Sequence, residues 1–234
     1  MNRILLAAAL ALASAPGAMA QMAGGSPVVV ELYTSQGCSS CPPADAVLGS
    51  LAEREDVIAL ALHVDYWDYI GWADGFADRA YSMRQRAYAK AAGASSVYTP
   101  QMIVNGTDYL VGVRSDEVAE LIGTHSGQPS PVTLELTRNG DMVRIRAVSQ
   151  RPLDRGALVQ IVRYLPSASV AIERGENAGR IMEYSNIVQS WKPVVEWDGQ
   201  SELAVETPAP GPEPTVVIIQ EPGPGAILAA ARLR

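Results

Sequence analysis

The chain of 234 residues contains only two cysteines, and both lie in the segment CSSCPPAD at residues 38–45. This segment follows a short apolar run, PVVVELY at residues 27–33, which is typical of a buried strand. From Cys41 to about Glu53 the apolar residues recur at helical spacing, and the two prolines that follow Cys41 are compatible only with the first turn of a helix. The cysteine pair is therefore predicted to join a first buried strand to a first helix.

The rest of the first half alternates strand and helix in the same way. The apolar run at residues 56–64 predicts a second buried strand, and residues 76–93 have the spacing of a second helix. Asn105–Gly106 divides two strand-like runs and predicts a hairpin, and a third helix is predicted to begin with Ser115 as its N-cap. Strands joined by a helical crossover are parallel. Residues 26–125 are therefore predicted to form an α/β domain with a mixed four-stranded sheet and flanking helices.

The sequence pattern changes after residues 124–131, which have the composition of a linker. Apolar and polar residues then alternate on both sides of Asn139–Gly140, as in a second hairpin. Further short apolar segments follow at roughly 8–12-residue spacing, and the last of them is AILAAARLR at residues 226–234. Residues 130–234 are therefore predicted to form an all-β, sandwich-like domain of seven or eight strands.

The first 20 residues have the features of a secretory signal peptide. Arg3 supplies a positive charge, residues 4–13 are apolar, and Ala18-Met19-Ala20 fits a cleavage site. The apolar run is too short to span a bilayer. We therefore expect cleavage near Ala20, no insertion into the membrane, and a mature protein that is periplasmic or secreted, where disulfides persist.

The charge of the chain narrows the choice of partner. The formal net charge is −7. Nucleic acids and anionic membrane surfaces both favour clustered Lys and Arg, so neither is expected to be a partner of this acidic chain.

Three kinds of chemistry fit two cysteines that are separated by two residues: a structural disulfide, a metal site and a redox-active dithiol. A structural disulfide stabilises mainly by closing a loop in the unfolded chain, and the effect grows with loop length. The loop closed by Cys38 and Cys41 is very short. By contrast, a thiolate at a strand-to-helix junction faces the unpaired N–H groups at the positive end of the helix. This position favours a redox dithiol, with Cys38 as the exposed attacking thiol and Cys41 as the resolving thiol.

Cys38-Ser39-Ser40-Cys41 and Thr99-Pro100 occur in the order found in the thioredoxin superfamily, which residues 27–125 resemble. The resemblance implies a cis peptide bond before Pro100, beside the dithiol, where the proline keeps metal off the sulfurs and offers backbone to the substrate. The Ser-Ser dipeptide differs from the Gly-Pro or Pro-His of well-studied members. The resemblance therefore does not indicate whether the protein is a reductant or an oxidant.

A closer resemblance covers nearly the whole mature chain. The motifs that carry it are ELYTSQGCSSCPPAD, HVDYWDYIGW, VYTPQMIVNG and GENAGR, at residues 31–45, 63–72, 97–106 and 175–180. They resemble an uncharacterised family of exported bacterial thioredoxin-like proteins with a β-rich tail. This resemblance implies a fold and a location, and it supplies no substrate.

Three further residues are candidates for the site because they follow the second strand, whose C-terminal end lies on the active-site side of this fold. His63 is a candidate proton shuttle or metal ligand, and Asp65 is a candidate buried carboxylate that assists Cys41. The ordinary alternatives are a hydrogen-bonded histidine on a strand and an N-capping aspartate. Trp67 is a candidate wall of a substrate groove, with core packing as its alternative.

The function that these features predict is an exported thiol–disulfide oxidoreductase that acts on protein thiols or disulfides. Cys38 and Cys41 perform the chemistry, Thr99 and Pro100 shape the peptide-binding edge, and no cofactor is required beyond the dithiol. Since the chain has no third cysteine, another protein must re-reduce or re-oxidise it as its redox partner.

Two other classes of function stay open. Two soft thiolates suit Cu(I) or zinc, with His63 or Met102 as a third ligand, so the protein is alternatively a copper- or zinc-binding metallochaperone that uses Cys38 and Cys41. The second alternative is a non-catalytic protein-binding module, in which the β-rich half is the working part. GENAGR is a candidate site for that module, although its composition is also that of a simple turn.

Overall fold

The computed structural model describes residues 26–233, so the predicted signal peptide at residues 1–20 lies outside the described residues. Between β1 and β5 the chain forms three α-helices and one 3₁₀ helix, and from β5 onward the described elements are all strands. In chain order the elements are β1 (Val28–Thr34), α1 (Pro42–Ala52), β2 (Val57–His63), a 3₁₀ helix (Asp65–Ile70), α2 (Arg79–Ala91), β3 (Gln101–Val104), β4 (Asp108–Val111), α3 (Ser115–Ser126), β5 (Val132–Asn139), β6 (Met142–Ser149), β7 (Ala157–Ala171), β8 (Ile181–Trp197), β9 (Leu203–Pro208), β10 (Thr215–Gln220) and β11 (Ile227–Leu233).

The element order predicted for the first half is confirmed. β1 and β2 are parallel, and β3 is antiparallel to β1 and joined to β4 by the predicted hairpin. Asn105 and Gly106 have positive φ angles of 49° and 79°, which a tight two-residue hairpin turn requires. Arg114 is the N-cap of α3, so the prediction that Ser115 is the cap is wrong by one residue.

The predicted four-stranded sheet is not an independent sheet, and this corrects the expectation from the sequence. Its strands form one end of an eight-stranded mixed sheet with the order β11-β10-β7-β8-β2-β1-β3-β4. The two halves of the chain join where β8 runs parallel to β2, with Ala61 paired to Ile187. Four strands of the β-rich half therefore extend the sheet of the first half.

The helices cover both faces of the first half of this sheet. Apolar residues of α1 and α3, such as Leu48 and Ile122, pack on one face against β1, β2 and β3. Tyr81 and Tyr88 of α2 pack on the opposite face. Because strands buried on both faces need no polar side, this arrangement explains the continuous apolar runs of β1 and β2.

The remaining strands form a second, three-stranded sheet with the order β5-β6-β9. Its inward residues, including Leu134, Val143 and Ile145, pack against Val159 of β7 and Val217 of β10 in the large sheet. The C-terminal half therefore has two layers of sheet, but one of those layers continues into the first half of the chain.

The longest strands, β7 and β8, form a hairpin that extends beyond the rest of the sheet. β10 pairs with β7 only as far as Arg163, whereas the pairing of β7 with β8 continues to Ala171. Pro166 therefore lies where β7 has one neighbour only, the place in a sheet where a proline is tolerated. The hairpin ends in the turn at residues 172–180, which we call the hairpin tip.

None of the helices within residues 26–233 combines the length and apolar character needed to cross a membrane.

Candidate functional site

The two cysteines form a disulfide between the end of β1 and the start of α1. The Cys38 and Cys41 sulfurs are 2.10 Å apart and the two Cα atoms 5.4 Å apart. Cys41 is the N-cap of α1, and its carbonyl accepts hydrogen bonds from the backbone N–H groups of Ala44 and Asp45 at 2.8 and 3.1 Å. The first positions of the helix are prolines, which have no N–H to satisfy. The disulfide therefore lies directly at the helix N-terminus.

Both cysteines are fully buried, which corrects the expectation that Cys38 is exposed. Ser40 is exposed, and its Oγ lies 3.4 Å from the Cys38 Sγ. Gly37 is close to the 3₁₀ helix, since a Cβ built on it would lie 3.0 Å from the Ile70 Cδ1 and 3.2 Å from the Trp67 Cβ. The oxidised site is thus covered, and Gly37 permits the close approach of the 3₁₀ helix.

The Thr99–Pro100 peptide bond is cis, which confirms the geometry implied by the resemblance. Trp67 lies beside it and donates a hydrogen bond from its Nε1 to the Thr99 Oγ1 at 2.8 Å. The Trp67 ring is nearly parallel to that of Tyr69, which is 82% exposed. The structure therefore brings together Trp67, Thr99 and Pro100, with an aromatic surface that continues into solvent.

His63 lies at the end of β2, where it is fully buried between the rings of Phe76 and Tyr184. Its Nδ1 is 2.7 Å from the Asp74 Oδ2. That oxygen also accepts the backbone N–H of Gln36 at 2.8 Å. Sequence reasoning missed Asp74, which connects the end of β2 to the loop that precedes the disulfide.

The structure does not place Asp65 as a buried carboxylate. Asp65 is half-buried, and its Oδ1 accepts a hydrogen bond of 2.5 Å from the Ser82 hydroxyl on α2. It also fails to act as an N-cap, since the N-cap of the 3₁₀ helix is Val64. Its observed contacts attach this segment to α2.

A different carboxyl group, that of Asp45, has the burial that was expected of Asp65. Asp45 lies one helical turn after Cys41, and neither of its side-chain oxygens has a hydrogen-bond partner of good geometry. Burial raises its pKa from 3.8 to about 7, against the opposing effects of the His63 ring and the Thr34 hydroxyl. At neutral pH this carboxyl group can therefore both give and accept a proton.

Other buried polar atoms near Asp45 also lack a hydrogen-bond partner of good geometry. They are the Thr34 Oγ1, the His63 Nε2 and the Tyr184 Oη. Burial raises the pKa of Tyr184 well above its usual value, and the carboxyl groups of Asp45 and Asp74 raise it further. Buried polar atoms in folded proteins are rarely left unpaired, so this cluster is a candidate for functional chemistry.

The β-rich half also contributes to the site through the hairpin tip. Asn177 is buried, and its Nδ2 donates hydrogen bonds to the backbone carbonyls of Gln36 and Cys38 at 2.9 and 3.0 Å. The Gln36 side chain in turn accepts the Trp72 Nε1 at 2.8 Å. The sequence drew attention to GENAGR but gave no sign that it contacts the cysteine loop, because that contact joins residues about 140 positions apart.

In the described part of the chain, no three His, Cys, Asp or Glu side chains come close enough together to hold a metal ion. The alternative ligand set of Cys38, Cys41 and His63 is thus not assembled in this disulfide-bonded state.

The sheet and the buried cystine define a class of protein: a mixed α/β fold with a candidate dithiol–disulfide site at its first strand–helix junction. Within that class, the chain belongs to the family described as protein of unknown function (DUF1223), whose model matches residues 29–220. The resemblance to an uncharacterised family is thereby confirmed at the level of the family.

Two solved structures resemble the whole of the described fold. A crystal structure of a protein from Agrobacterium tumefaciens has 33% sequence identity and a TM-score of 0.77, and the match covers 90% of this chain and 95% of that chain. HBP35 of Porphyromonas gingivalis has 13% identity and a TM-score of 0.58, over 91% of this chain and 76% of the other, and shows similarity of fold alone. No curated protein matches the sequence at a significant level.

Proposed function

We propose that this protein is an exported thiol–disulfide oxidoreductase that acts on protein substrates. The observation that supports the proposal best is the Cys38–Cys41 disulfide at the N-terminus of α1, one helical turn before the buried carboxyl group of Asp45. A helix N-terminus stabilises the thiolate that disulfide exchange requires, and a carboxyl group with a pKa of about 7 can store the proton.

We further propose that residues 26–125 form a thioredoxin-like unit and that the β-rich half is its accessory β domain. The parallel β1–β2 pair, the antiparallel β3–β4 hairpin and the helices on both faces support this reading. The cis bond before Pro100 at the start of β3 supports it as well. The accessory domain shares the large sheet and supplies the hairpin tip that contacts the cysteine loop.

The reaction needs only the two sulfurs of the protein and two thiols of the substrate. In the oxidising direction a substrate thiolate attacks the Cys38 Sγ, the bond to Cys41 breaks, and its electron pair stays on the Cys41 Sγ. A second substrate thiolate attacks the substrate sulfur of this mixed disulfide and releases the Cys38 thiolate. The substrate loses two electrons and two protons and forms a disulfide, and the protein gains them. The reverse sequence reduces a substrate disulfide.

Asp45 is the proton store for Cys41 in this scheme. In the oxidising direction the released Cys41 thiolate takes the proton of the Asp45 carboxyl group, and in the reducing direction the carboxylate takes the proton of the Cys41 thiol before that sulfur attacks. Both protonation states of Asp45 are populated near neutral pH because its pKa is about 7.

An Asp45→Asn variant is expected to slow insulin-disulfide reduction by about 100-fold at pH 7, because assisted proton transfer contributes roughly that factor or more. The wild-type rate should rise as the pH passes through 7, and the variant should lose this inflection. Asp116→Asn, in the first turn of α3, is the control for loss of an acidic residue near a helix N-terminus and should keep the wild-type profile. Retention of the inflection in Asp45→Asn would argue against the role.

The proposed function itself is tested with Cys38→Ser. The wild type should catalyse the reduction of insulin disulfides by dithiothreitol, and Cys38→Ser should reduce the rate to that of dithiothreitol alone, because the sulfur that attacks the substrate is removed. The rate of insulin precipitation measures both. A wild-type protein that is fully reduced and yet gives no rate above background would reject the proposal.

Cys41→Ser is the matched variant, because it keeps the attacking sulfur and removes the resolving one. It should accumulate a mixed disulfide between Cys38 and the substrate, visible by mass spectrometry as a covalent adduct that dithiothreitol releases.

A variant with alanine at both cysteines tests the non-catalytic alternative. Full biological function in that variant would place the activity in the β-rich half.

The direction of electron flow determines which kind of redox partner the protein needs. Because the chain has no third cysteine, another protein must restore the starting state of Cys38 and Cys41 after each turnover. A reduction potential of about −270 mV for the Cys38–Cys41 pair would indicate a reductant, and a potential of about −120 mV would indicate an oxidant.

A further inference from the structure

The hairpin tip has no role in the chemistry described above, yet it makes two direct hydrogen bonds to the cysteine loop. Asn177 donates both of them, to the carbonyls of Gln36 and Cys38. Its Oδ1 accepts a third hydrogen bond, from the Arg180 Nη1 at 2.9 Å. The amide group is thus held from both ends, and its donor end faces the loop.

The hairpin tip is closed by its own backbone hydrogen bonds. The Ile172 and Arg180 backbones are joined by the bond from Ile172 N to Arg180 O at 2.9 Å, and Gly179 N donates to Ile172 O at 2.8 Å. Gly175, with a φ of 79°, allows the tip to approach Trp72, since a Cβ there would lie 3.4 Å from the Trp72 Cβ. Asn177 therefore projects from a turn that is itself well defined.

The two hydrogen bonds bear directly on access to the disulfide. A substrate thiolate has to reach the Cys38 Sγ, and Cys38 is fully buried in the oxidised state. One movement that would expose this sulfur is the separation of the cysteine loop from the tip. Because the Cys38 carbonyl is bonded to Asn177, that separation breaks the bonds that Asn177 donates.

We propose that Asn177 is a positioning residue that latches the cysteine loop to the hairpin tip and so controls access of substrates to the Cys38–Cys41 disulfide. The role rests on the proposed function: the β-rich half sets how readily the disulfide reacts, while Cys38 and Cys41 perform the exchange. Protein substrates gain access when the latch opens.

The test is the rate at which dithiothreitol reduces the disulfide of the full chain, followed by the appearance of free thiols. Dithiothreitol gives two electrons to the cystine and closes to its own cyclic disulfide. Asn177→Ala should react about 10-fold faster than the wild type, because two hydrogen bonds no longer oppose opening. Asn177→Asp should react at least as fast, since its carboxylate offers acceptors to two carbonyl oxygens that need donors.

Two further variants keep the test decisive. Arg180→Ala leaves both donated bonds in place and removes only the bond to the Asn177 Oδ1, so it should give a smaller acceleration, about 2- to 3-fold. It also provides a readout if Asn177→Ala fails to fold. Ser169→Ala is the control, because it removes a hydrogen bond to Glu183 within the same β7–β8 hairpin and leaves the tip intact. It should react at the wild-type rate.

The proposal is overturned if Asn177→Ala, folded by circular dichroism, is reduced no faster than the wild type. It is also overturned if Ser169→Ala accelerates reduction equally, because the effect would then be a general loosening of the hairpin. The measurement follows the protein's own cystine and needs no turnover. An inactive wild type in the insulin assay would therefore reject the proposed function while leaving the latch measurable.

Discussion

Asp45→Asn is expected to stabilise the oxidised protein by up to about 4 kcal/mol at pH 8 and to change its stability little at pH 3. The folded protein raises the pKa of Asp45 from 3.8 to about 7 by burial, and each unit of difference corresponds to about 1.36 kcal/mol. Below pH 3.8 the carboxyl group is protonated in both the folded and the unfolded chain. As the pH rises from about 4 to 7 the unfolded chain ionises first, so the wild type loses stability across this window.

Asparagine has a similar shape and no ionisation, so the variant avoids this loss. Urea unfolding of both proteins between pH 3 and pH 8 measures the difference, with the disulfide kept intact. Asp116→Asn, in the first turn of α3, serves as the control because Asp116 is exposed and should show no stabilisation at any pH. A gain in Asp45→Asn that is equal at pH 3 and pH 8 would show that folding does not raise the pKa of Asp45.

The same carboxyl group shows how far the sequence could be used to find the site. The helical spacing of apolar residues after Cys41 could have placed Asp45 next to the buried Ala44 and Leu48, since Asp45 lies four residues after Cys41. Sequence reasoning chose Asp65 because it follows a buried strand. Asp45 could therefore have been found from a local pattern, whereas its pKa depends on residues of other elements, such as His63.

The contacts of Asp74 and Asn177 could not have been predicted in this way. Asp74 joins His63 to the Gln36 backbone, and Asn177 reaches the same loop from a distant hairpin. In both cases the contact depends on how separate parts of the chain fold together. A single sequence gives the type of a side chain and its local surroundings, but it does not give such pairings.

The fold likewise has parts that local sequence signals predict and parts that they do not. Local signals were sufficient for the Asn105–Gly106 and Asn139–Gly140 turns and for the strand–helix order of the first half. The continuous eight-stranded sheet was missed because it depends on the pairing of β8 with β2, which no local pattern marks. β7 is one long strand, Ala157–Ala171, rather than a short segment, and it contains Pro166, which the structure tolerates beyond the last β10 partner.

Glu31→Gln is expected to destabilise the protein by about 3–5 kcal/mol, because it leaves the charge of a largely buried arginine without its partner. The Glu31 carboxylate accepts two hydrogen bonds from Arg84, at 2.7 and 2.8 Å, and one each from the Tyr33 and Tyr88 hydroxyls. Burial opposes the charged form of Arg84, but the Glu31 carboxylate outweighs it and raises the pKa of Arg84 above its usual value. Urea unfolding at pH 7 measures the loss.

A surface pair provides the control for this prediction. Arg144 and Glu206 are paired across β6 and β9 with both side chains largely exposed. Water screens such a pair, so Glu206→Gln should change the free energy of unfolding by about 1 kcal/mol or less. An equal loss of unfolding free energy in the two Glu→Gln variants would mean that burial of Glu31 does not increase the contribution of its ion pair to stability.

The double variant Glu31→Leu, Arg84→Met separates the penalty of an unpaired charge from the net value of the pair. Removal of both charges eliminates the desolvation cost of each, so the double variant should be less destabilised than Glu31→Gln alone. The loss should still be measurable, since the Arg84 guanidinium lies 3.8 Å from the Trp191 ring centroid and donates to the Gln220 Oε1 at 3.0 Å. These contacts link α2 to β8 and β10 of the β-rich half. If the loss in the double variant equals the sum of the losses in Glu31→Leu and Arg84→Met alone, the two charges act independently. The pair would then not be what holds these elements together.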